Sequence, residues 1–117
     1  MKYSMFIGRW QPWHEGHRWL IEQRLSLGKN VLICVREVGN DDSNPYDPHQ
    51  VKNNIENKLS ELIDSGRVKV IVIPDIESVN YGRGVGYDII EHEPPEKISK
   101  ISATEIRKKI AKNNNKA

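Results

Sequence analysis

Two histidines three residues apart, His14 and His17, are the side chains of this sequence best placed to do chemistry. They follow a short apolar run, Tyr3 to Ile7, and on a helix residues at this spacing share a face. A glycine, Gly8, marks the turn between strand and helix, where N–H groups and the positive end of the helix dipole favour a bound phosphate. Arg9 adds a permanent positive charge on the same turn. These residues predict an anion-binding site.

The His-x-x-His spacing has two other interpretations. A zinc site needs three or four protein ligands, and the remaining candidates are Cys34, His49 and His92, which carry no companion motif. The zinc interpretation is therefore the weaker of the two. The other alternative is a pair of ordinary surface or core histidines.

The segment from Gly8 to His17 reads GRWQPWHEGH. It resembles the first motif of the HxGH nucleotidylyltransferase superfamily, and most of all that of its adenylyltransferase branch, Gly-Arg-Phe-Gln-Pro-x-His-x-Gly-His. Trp10 stands where that motif has phenylalanine. A second segment, Ile101 to Arg107, reads ISATEIR and resembles the superfamily's Ile-Ser-Ser-Thr-x-Ile-Arg motif, with Ala103 in place of the second serine.

The resemblance implies transfer of a nucleoside monophosphate from a nucleoside triphosphate with Mg²⁺ to a small phosphorylated acceptor, with release of pyrophosphate. Such a reaction needs positioning and electrostatic stabilisation more than covalent participation by the protein. The first motif favours ATP as donor, and the branch suggests nicotinamide mononucleotide as acceptor. Two alternatives stay open: a cytidylyltransferase that uses CTP, which the short chain resembles, and a non-catalytic nucleotide-binding regulatory domain.

By the same resemblance the catalytic side chains are His14, His17 and Arg107. The nucleotide-binding residues that it implies are Gly8, Arg9, Gln11, Gly16, Ser102 and Thr104. Two further cations are candidates for binding the acceptor. Arg36 ends a predicted strand at the edge where open α/β sheets bind ligands, and Arg83 lies in a glycine-rich loop. No protein residue is predicted to ligate a metal.

The elements that must position these residues follow the order β-α-β-α-β. The predicted strands are Tyr3 to Ile7, Asn30 to Arg36 and Val68 to Ile73, and the predicted helices run from near Glu15 to Leu27 and from Pro48 to Gly66. This order predicts a parallel sheet with right-handed crossovers. We therefore expect a Rossmann-like, three-layer α/β/α domain with a parallel sheet of four to five strands.

The later part of the chain is less regular. Residues 87–92 are predicted as a short fourth strand, and Ser102 as the start of a last helix. The domain is expected to cover residues 1–112, followed by a disordered tail, 113–117. Within the first helix, Trp19 and Leu20 are expected to pack on the sheet, and Trp10 and Trp13 are interpreted as packing residues rather than ligand contacts.

The bulk composition is that of a soluble globular protein. Of 117 residues, 37% are hydrophobic and 29% are charged, and the net charge of +2 gives no reason to expect nucleic-acid binding. No apolar run is long enough to span a membrane. The single cysteine, Cys34, suits a reducing compartment, so we expect a cytoplasmic location. Small members of the resembled superfamily usually assemble, which makes a homo-oligomer an expectation.

Overall fold

The computed structural model describes residues 1–95 except residues 40, 43, 85 and 87. Within this part the elements are β1 (Tyr3–Gly8), α1 (Glu15–Leu25), β2 (Asn30–Glu37), α2 (Pro48–Lys58), α3 (Ser60–Asp64) and β3 (Val68–Pro74). The three strands are parallel and lie in the order β1-β2-β3. The predicted small α/β fold and its parallel sheet are therefore confirmed.

Both crossover helices pack on one face of this sheet. On β2, Val31, Ile33 and Val35 are fully buried and point to the same side, since side chains alternate along a strand. They form one apolar cluster with Ile21 of α1 and Ile55 of α2. The described part of the chain thus has two layers, a sheet and one layer of helices.

Helix α1 ends at Leu25, two residues before the predicted end at Leu27. The chain leaves the helix through Gly28, whose φ of 76° lies in the left-handed region. Lys29 N–H donates to Arg24 O at 3.1 Å and Gly28 N–H to Leu25 O at 2.9 Å, the pattern of a glycine-terminated helix end. Gly28 therefore ends the helix, and the last two residues predicted as helical, Ser26 and Leu27, lie in the turn that it makes.

The buried side of α1 agrees with the prediction only in part. Leu20 is partly buried and packs against the core cluster, as predicted, whereas Trp19 is partly buried and does not belong to it. Ile21 and Leu25 are the buried residues of this helix. Leu27 is 63% exposed because it lies in the turn after the helix. The residues of α1 buried in the core are therefore Ile21 and Leu25, which lie one turn apart, and not Trp19.

The single helix predicted from Pro48 to Gly66 is divided into α2 and α3 at Leu59, where φ is −112°. Its hydrogen bonds continue through the division, from Leu59 N–H to Ile55 O and from Ile63 N–H to Leu59 O, both at 2.9 Å. Leu59 itself stays buried. The row of buried apolar residues, Val51, Ile55 and Leu59, therefore continues up to the division.

After β3 the described chain, residues 75–95, contains no strand. The prediction of a fourth strand is wrong for its described residues, 88–92. Ile89 and Ile90 stand alone between two acidic residues and are 73% and 47% exposed, so they bury too little surface to hold a strand. The His92 ring nevertheless stacks on Phe6 of β1 with centroids 6.1 Å apart. The last helix predicted from Ser102 and the tail 113–117 lie outside the described residues.

None of the helices in the described part of the chain has the length and apolar character that crossing a bilayer requires.

Helix α2 offers a test of how the fold is built locally. Asp47 accepts a 2.7 Å hydrogen bond from His49 N–H, and Gln50 Oε1 accepts one of 3.0 Å from Asp47 N–H. We expect Asp47→Ala to lower the free energy of unfolding by about 1 kcal/mol, the usual cost of losing a cap. Urea denaturation measures this. Asp42→Ala, the same change at an exposed position of the preceding loop, is the control, and equal losses in both variants would contradict the assignment.

Candidate functional site

The turn from β1 into α1 has an unusual backbone. Trp10 has a φ of 55°, in the left-handed region that non-glycine residues seldom adopt, and the bond between Gln11 and Pro12 is cis. A bulky residue in this region is held there only when its surroundings determine its position. The contacts of the Trp10 side chain hold it in this conformation.

The Trp10 indole lies against Gly8 and is only 6% exposed. A Cβ atom added to Gly8 would lie 2.9 Å from Trp10 Cε2, closer than side chains tolerate. At its other edge, Trp10 Nε1–H donates a buried 3.0 Å hydrogen bond to Cys34 O on β2. Gly8 therefore makes room for an indole that ties the turn to the neighbouring strand.

Two hydrogen bonds join the turn to the loop that precedes α2. Gln11 is 1% exposed, and its Oε1 accepts a 3.0 Å hydrogen bond from Tyr46 N–H. Arg9 donates to Oδ1 of the buried Asn44 at 3.4 Å. Gln11, predicted as a nucleotide contact, thus has a structural role in holding the turn. Arg9 makes no ion pair within the described residues, so its positive charge is not neutralised by a carboxylate there.

The first turn of α1 is capped by two imidazoles. His14 is the residue that precedes the helix, and its Nδ1 accepts a 3.0 Å hydrogen bond from Gly16 N–H. In return, His17 Nδ1 accepts a 3.2 Å hydrogen bond from His14 N–H. The two rings stack with centroids 3.7 Å apart and planes 19° apart. The backbone and both side chains therefore form one reciprocal arrangement.

These hydrogen bonds decide which nitrogen of each ring carries the proton. A nitrogen that accepts a hydrogen bond cannot hold a proton, so the neutral ring must carry its proton on Nε2. Both imidazoles are thereby fixed as Nε2–H donors. The pair suits hydrogen bonding to anionic oxygens at a helix N-terminus, and it does not suit proton abstraction through Nδ1.

Two tryptophan rings also contact His17. Trp10 meets it nearly at right angles, with centroids 4.9 Å apart and planes at 88°. Trp13 lies 5.3 Å away at 43°, and the two indoles contact each other at 5.7 Å. Both tryptophans are buried members of the core, which confirms that they are packing residues. Their contact with His17 was not predicted, because nothing in the sequence spacing indicates it.

Burial lowers the pKa of His14 below its ordinary value of 6.5. The direction agrees with the hydrogen bonding, since protonation of Nδ1 would abolish the bond from Gly16 N–H. Burial likewise raises the pKa of the Cys34 thiol, which therefore stays protonated near neutral pH.

The two predicted acceptor-binding arginines have different surroundings. Arg36 lies at the same sheet edge as Gly8, since Val35 pairs with Gly8 in the register. Its Nε and one terminal nitrogen both donate to Asp75 Oδ1, at 3.1 and 2.7 Å. Arg83 is exposed and makes no hydrogen bond or ion pair with the described residues. Its loop is not brought against the histidines by any described contact.

Six of the predicted residues thus lie together at the turn and helix start: Gly8, Arg9, Gln11, His14, Gly16 and His17. The predicted residues of the second motif, Ser102, Thr104 and Arg107, lie outside the described residues. Asp75 could have been found from the sequence, because it directly follows β3 at the edge where Arg36 ends β2. The role of the Cys34 carbonyl leaves no signal in the sequence.

In the described ranges no group of three or more His, Cys, Asp or Glu side chains could hold a metal ion. Comparison of the chain with protein-family models and with curated proteins found no match.

The lowered pKa of His14 predicts a specific pH dependence of stability. Because the folded state binds the proton less readily than the unfolded state, its contribution is complete above the unfolded pKa near 6.5 and is lost as the pH falls through the lower folded pKa. Urea denaturation between about pH 8 and about pH 5 measures this loss.

His14→Asn is the matched variant, because asparagine caps helices well and does not titrate. We expect the loss of stability below pH 6.5 to be smaller in this variant than in the wild type, although the other histidines still titrate. The same pH dependence in both proteins would contradict the assignment of His14 as the cap that senses acid.

The contact between Gly8 and Trp10 predicts a coupling between two substitutions. Gly8→Ala should destabilise the protein by about 1–3 kcal/mol, the usual cost of overpacking. In the Trp10→Phe background the smaller ring relieves the clash, so the same alanine should cost less. A double-mutant cycle by urea denaturation measures the coupling, expected at about 1 kcal/mol or more. Additive effects would mean that the indole does not set the requirement for glycine.

Proposed function

We propose that this protein is a nucleotidyltransferase that moves AMP from ATP to a small phosphorylated acceptor and releases pyrophosphate. One observation carries the proposal: two stacked imidazoles at a helix N-terminus have both Nδ1 atoms engaged by backbone N–H groups. Such a pair offers two Nε2–H donors with fixed positions, beside an arginine without a described ion pair. The resemblance of Gly8 to His17 to the HxGH motif supports the same assignment.

In this mechanism the chain's own groups act by position and charge. The acceptor's phosphate oxygen attacks the α-phosphorus, the bond to the bridging β-oxygen breaks, and pyrophosphate leaves with that electron pair. His14 and His17 donate through Nε2–H to the oxygens on which negative charge increases. Arg9 attracts the triphosphate from the turn, and the start of α1 adds the positive end of its dipole. Thr104 and Arg107 would contact the β- and γ-phosphates, with Ser102 beside them.

Mg²⁺ fits this site as part of the nucleotide complex rather than as a protein-held ion. The groups presented at the turn are N–H donors, which bind phosphate oxygens and do not ligate a hard cation. Mg²⁺ commonly keeps several waters and is held through substrate phosphates. It would supply further neutralisation of the phosphate charge.

Arg36 and Arg83 are the two candidates for binding the acceptor's phosphate. Arg36 can contact the acceptor's phosphate only if its bond to Asp75 is exchanged for one to the phosphate. The pair is partly exposed, and such ion pairs contribute little net stability, about 0–1 kcal/mol, so an exchange is inexpensive. Arg83 is a second candidate for this contact, and nicotinamide mononucleotide is the acceptor to test first.

We also propose a second layer of helices on the sheet face opposite α1 and α2. Met5, Ile7, Leu32, Ile71 and Ile73 alternate with the core residues and lie on the sheet face opposite α1 and α2, and none of them belongs to the apolar cluster. Met5 is 55% exposed. A second helix layer on this face and further strands would complete the three-layer, Rossmann-like arrangement of four to five strands. A cytoplasmic location and a homo-oligomer remain parts of the proposal.

Thermal unfolding with ATP, CTP, GTP and UTP, each with Mg²⁺, tests nucleotide binding. A ligand at 100 times its dissociation constant stabilises the folded state by about 2.7 kcal/mol. We expect ATP to raise the melting temperature most. A selective effect of CTP would instead favour the cytidylyltransferase, and no effect of any nucleotide would contradict a triphosphate site.

His17→Gln tests the chemistry without removing the cap, because Gln50 performs the same capping at α2 through its Oε1. We expect the rate of pyrophosphate release to fall by about 10²–10³-fold, as when one preorganised donor is lost. His49→Ala, at an exposed position of α2, is the control and should keep the rate. Nucleotide binding without any pyrophosphate release by the wild type, across an acceptor panel, would favour the regulatory domain.

A further inference from the structure

The Trp10 indole is in contact with three separate parts of the site. Its Nε1–H donates to Cys34 O at 3.0 Å, one face of its ring system lies against Gly8, and it meets the His17 ring at 88° with centroids 4.9 Å apart. This one side chain therefore joins a strand carbonyl, a turn and a candidate catalytic residue.

We propose that Trp10 is a positioning residue, whose ring, held by the hydrogen bond to Cys34 O, sets the orientation of the His17 imidazole. The inference rests on the proposed function, since the orientation of His17 affects a reaction only if His17 contacts the triphosphate. The role requires a tryptophan at position 10, because a phenylalanine there could contact His17 but could not donate to Cys34 O.

The orientation of an imidazole has two degrees of freedom, and each is restrained by a different contact. The hydrogen bond from His14 N–H fixes where Nδ1 points, at 3.2 Å. It leaves the ring able to rock about that bond. The stacked His14 ring limits this motion on one side, and the perpendicular Trp10 ring limits it on another. The direction of the His17 Nε2–H therefore depends on where Trp10 is held.

Comparison with Trp13 shows why Trp10 is the restraining partner. Both indoles are 6% exposed, and both contact His17. The Trp13 indole makes no hydrogen bond within the described part of the chain, whereas Trp10 is fixed by Cys34 O and by the lack of space at Gly8. Trp10 also holds the left-handed φ of 55°, a conformation that its side-chain contacts must maintain. Trp10 is therefore held by more contacts than Trp13.

The experiment compares Trp10→Phe with Trp19→Phe in the full chain. Trp19 lies on α1, is partly buried and has no described ring contact with His17, so it controls for the same chemical change. The first measurement is long-range ¹H–¹⁵N NMR of the histidine rings without nucleotide. We expect the His17 resonances to shift and broaden in Trp10→Phe and to stay as in the wild type in Trp19→Phe.

The second measurement is the rate of pyrophosphate release with ATP. A catalytic group displaced by about 1 Å can lose about 10²-fold in rate, and a smaller tilt should cost about tenfold in kcat. The KM for ATP should change by less than about twofold, because phosphate binding by the helix start and Arg9 is retained. Altered His17 resonances with an unchanged kcat would overturn the proposal.

A second replacement separates the hydrogen bond from the volume of the ring, and also serves if Trp10→Phe does not fold. A benzothiophene analogue of tryptophan at position 10 keeps the shape and replaces N–H with sulfur. We expect it to alter the His17 resonances and kcat as Trp10→Phe does. Wild-type behaviour of the analogue would overturn the anchoring by Cys34 O. If the wild-type protein transfers no nucleotide, the proposed function fails, while the NMR comparison still decides whether Trp10 orients His17.

Discussion

The start of α1 depends on two hydrogen bonds that the backbone donates to imidazole nitrogens. Gly16 N–H donates to His14 Nδ1 and His14 N–H donates to His17 Nδ1. A helix start leaves four N–H groups without partners inside the helix, so these bonds have a structural role whatever the site binds. They also fix the tautomer of both rings. The same two interactions thus start the helix, stack the rings and aim the Nε2–H donors.

Two arginines lie at the sheet edge near this helix start, and only one of them has a carboxylate partner among the described residues. Arg36 is held by Asp75 through two nitrogens, whereas Arg9 donates to the neutral amide of Asn44. An arginine beside a neutral partner keeps its full attraction for an anion, while one beside a carboxylate attracts an anion only after that pair opens. In the proposed function, the charge on the turn attracts the triphosphate. Arg36, one strand further along the sheet, is then the candidate for the second substrate.

Features that depend on neighbouring residues could be predicted from the sequence, and contacts between distant residues could not. The three strands of the sheet and the start of α2 follow from apolar runs and from Asp47-Pro48 with Gln50, signals that lie within a few residues of one another, and the structure confirms them. The buried face of α1 was predicted only in part: Leu20 packs against the core as expected, whereas Trp19 does not belong to it and Ile21 and Leu25 are the buried residues. Trp10 was predicted to pack, but its bond to Cys34 O joins residues 24 positions apart and has no local signal.

The two helix starts of this chain give an internal comparison that bears on function. Helix α2 begins with Asp47 and Gln50, residue types that are preferred for capping, whereas α1 begins with histidines at the two equivalent positions. Histidine is not among the preferred caps, so stability alone does not account for this choice. An aspartate at position 14 would cap as well but would repel an anion there. A neutral imidazole caps through one nitrogen and keeps an N–H donor on the other, whereas an ionised aspartate only accepts hydrogen bonds. The histidines at α1 therefore support the proposal that their second nitrogens bind an anion.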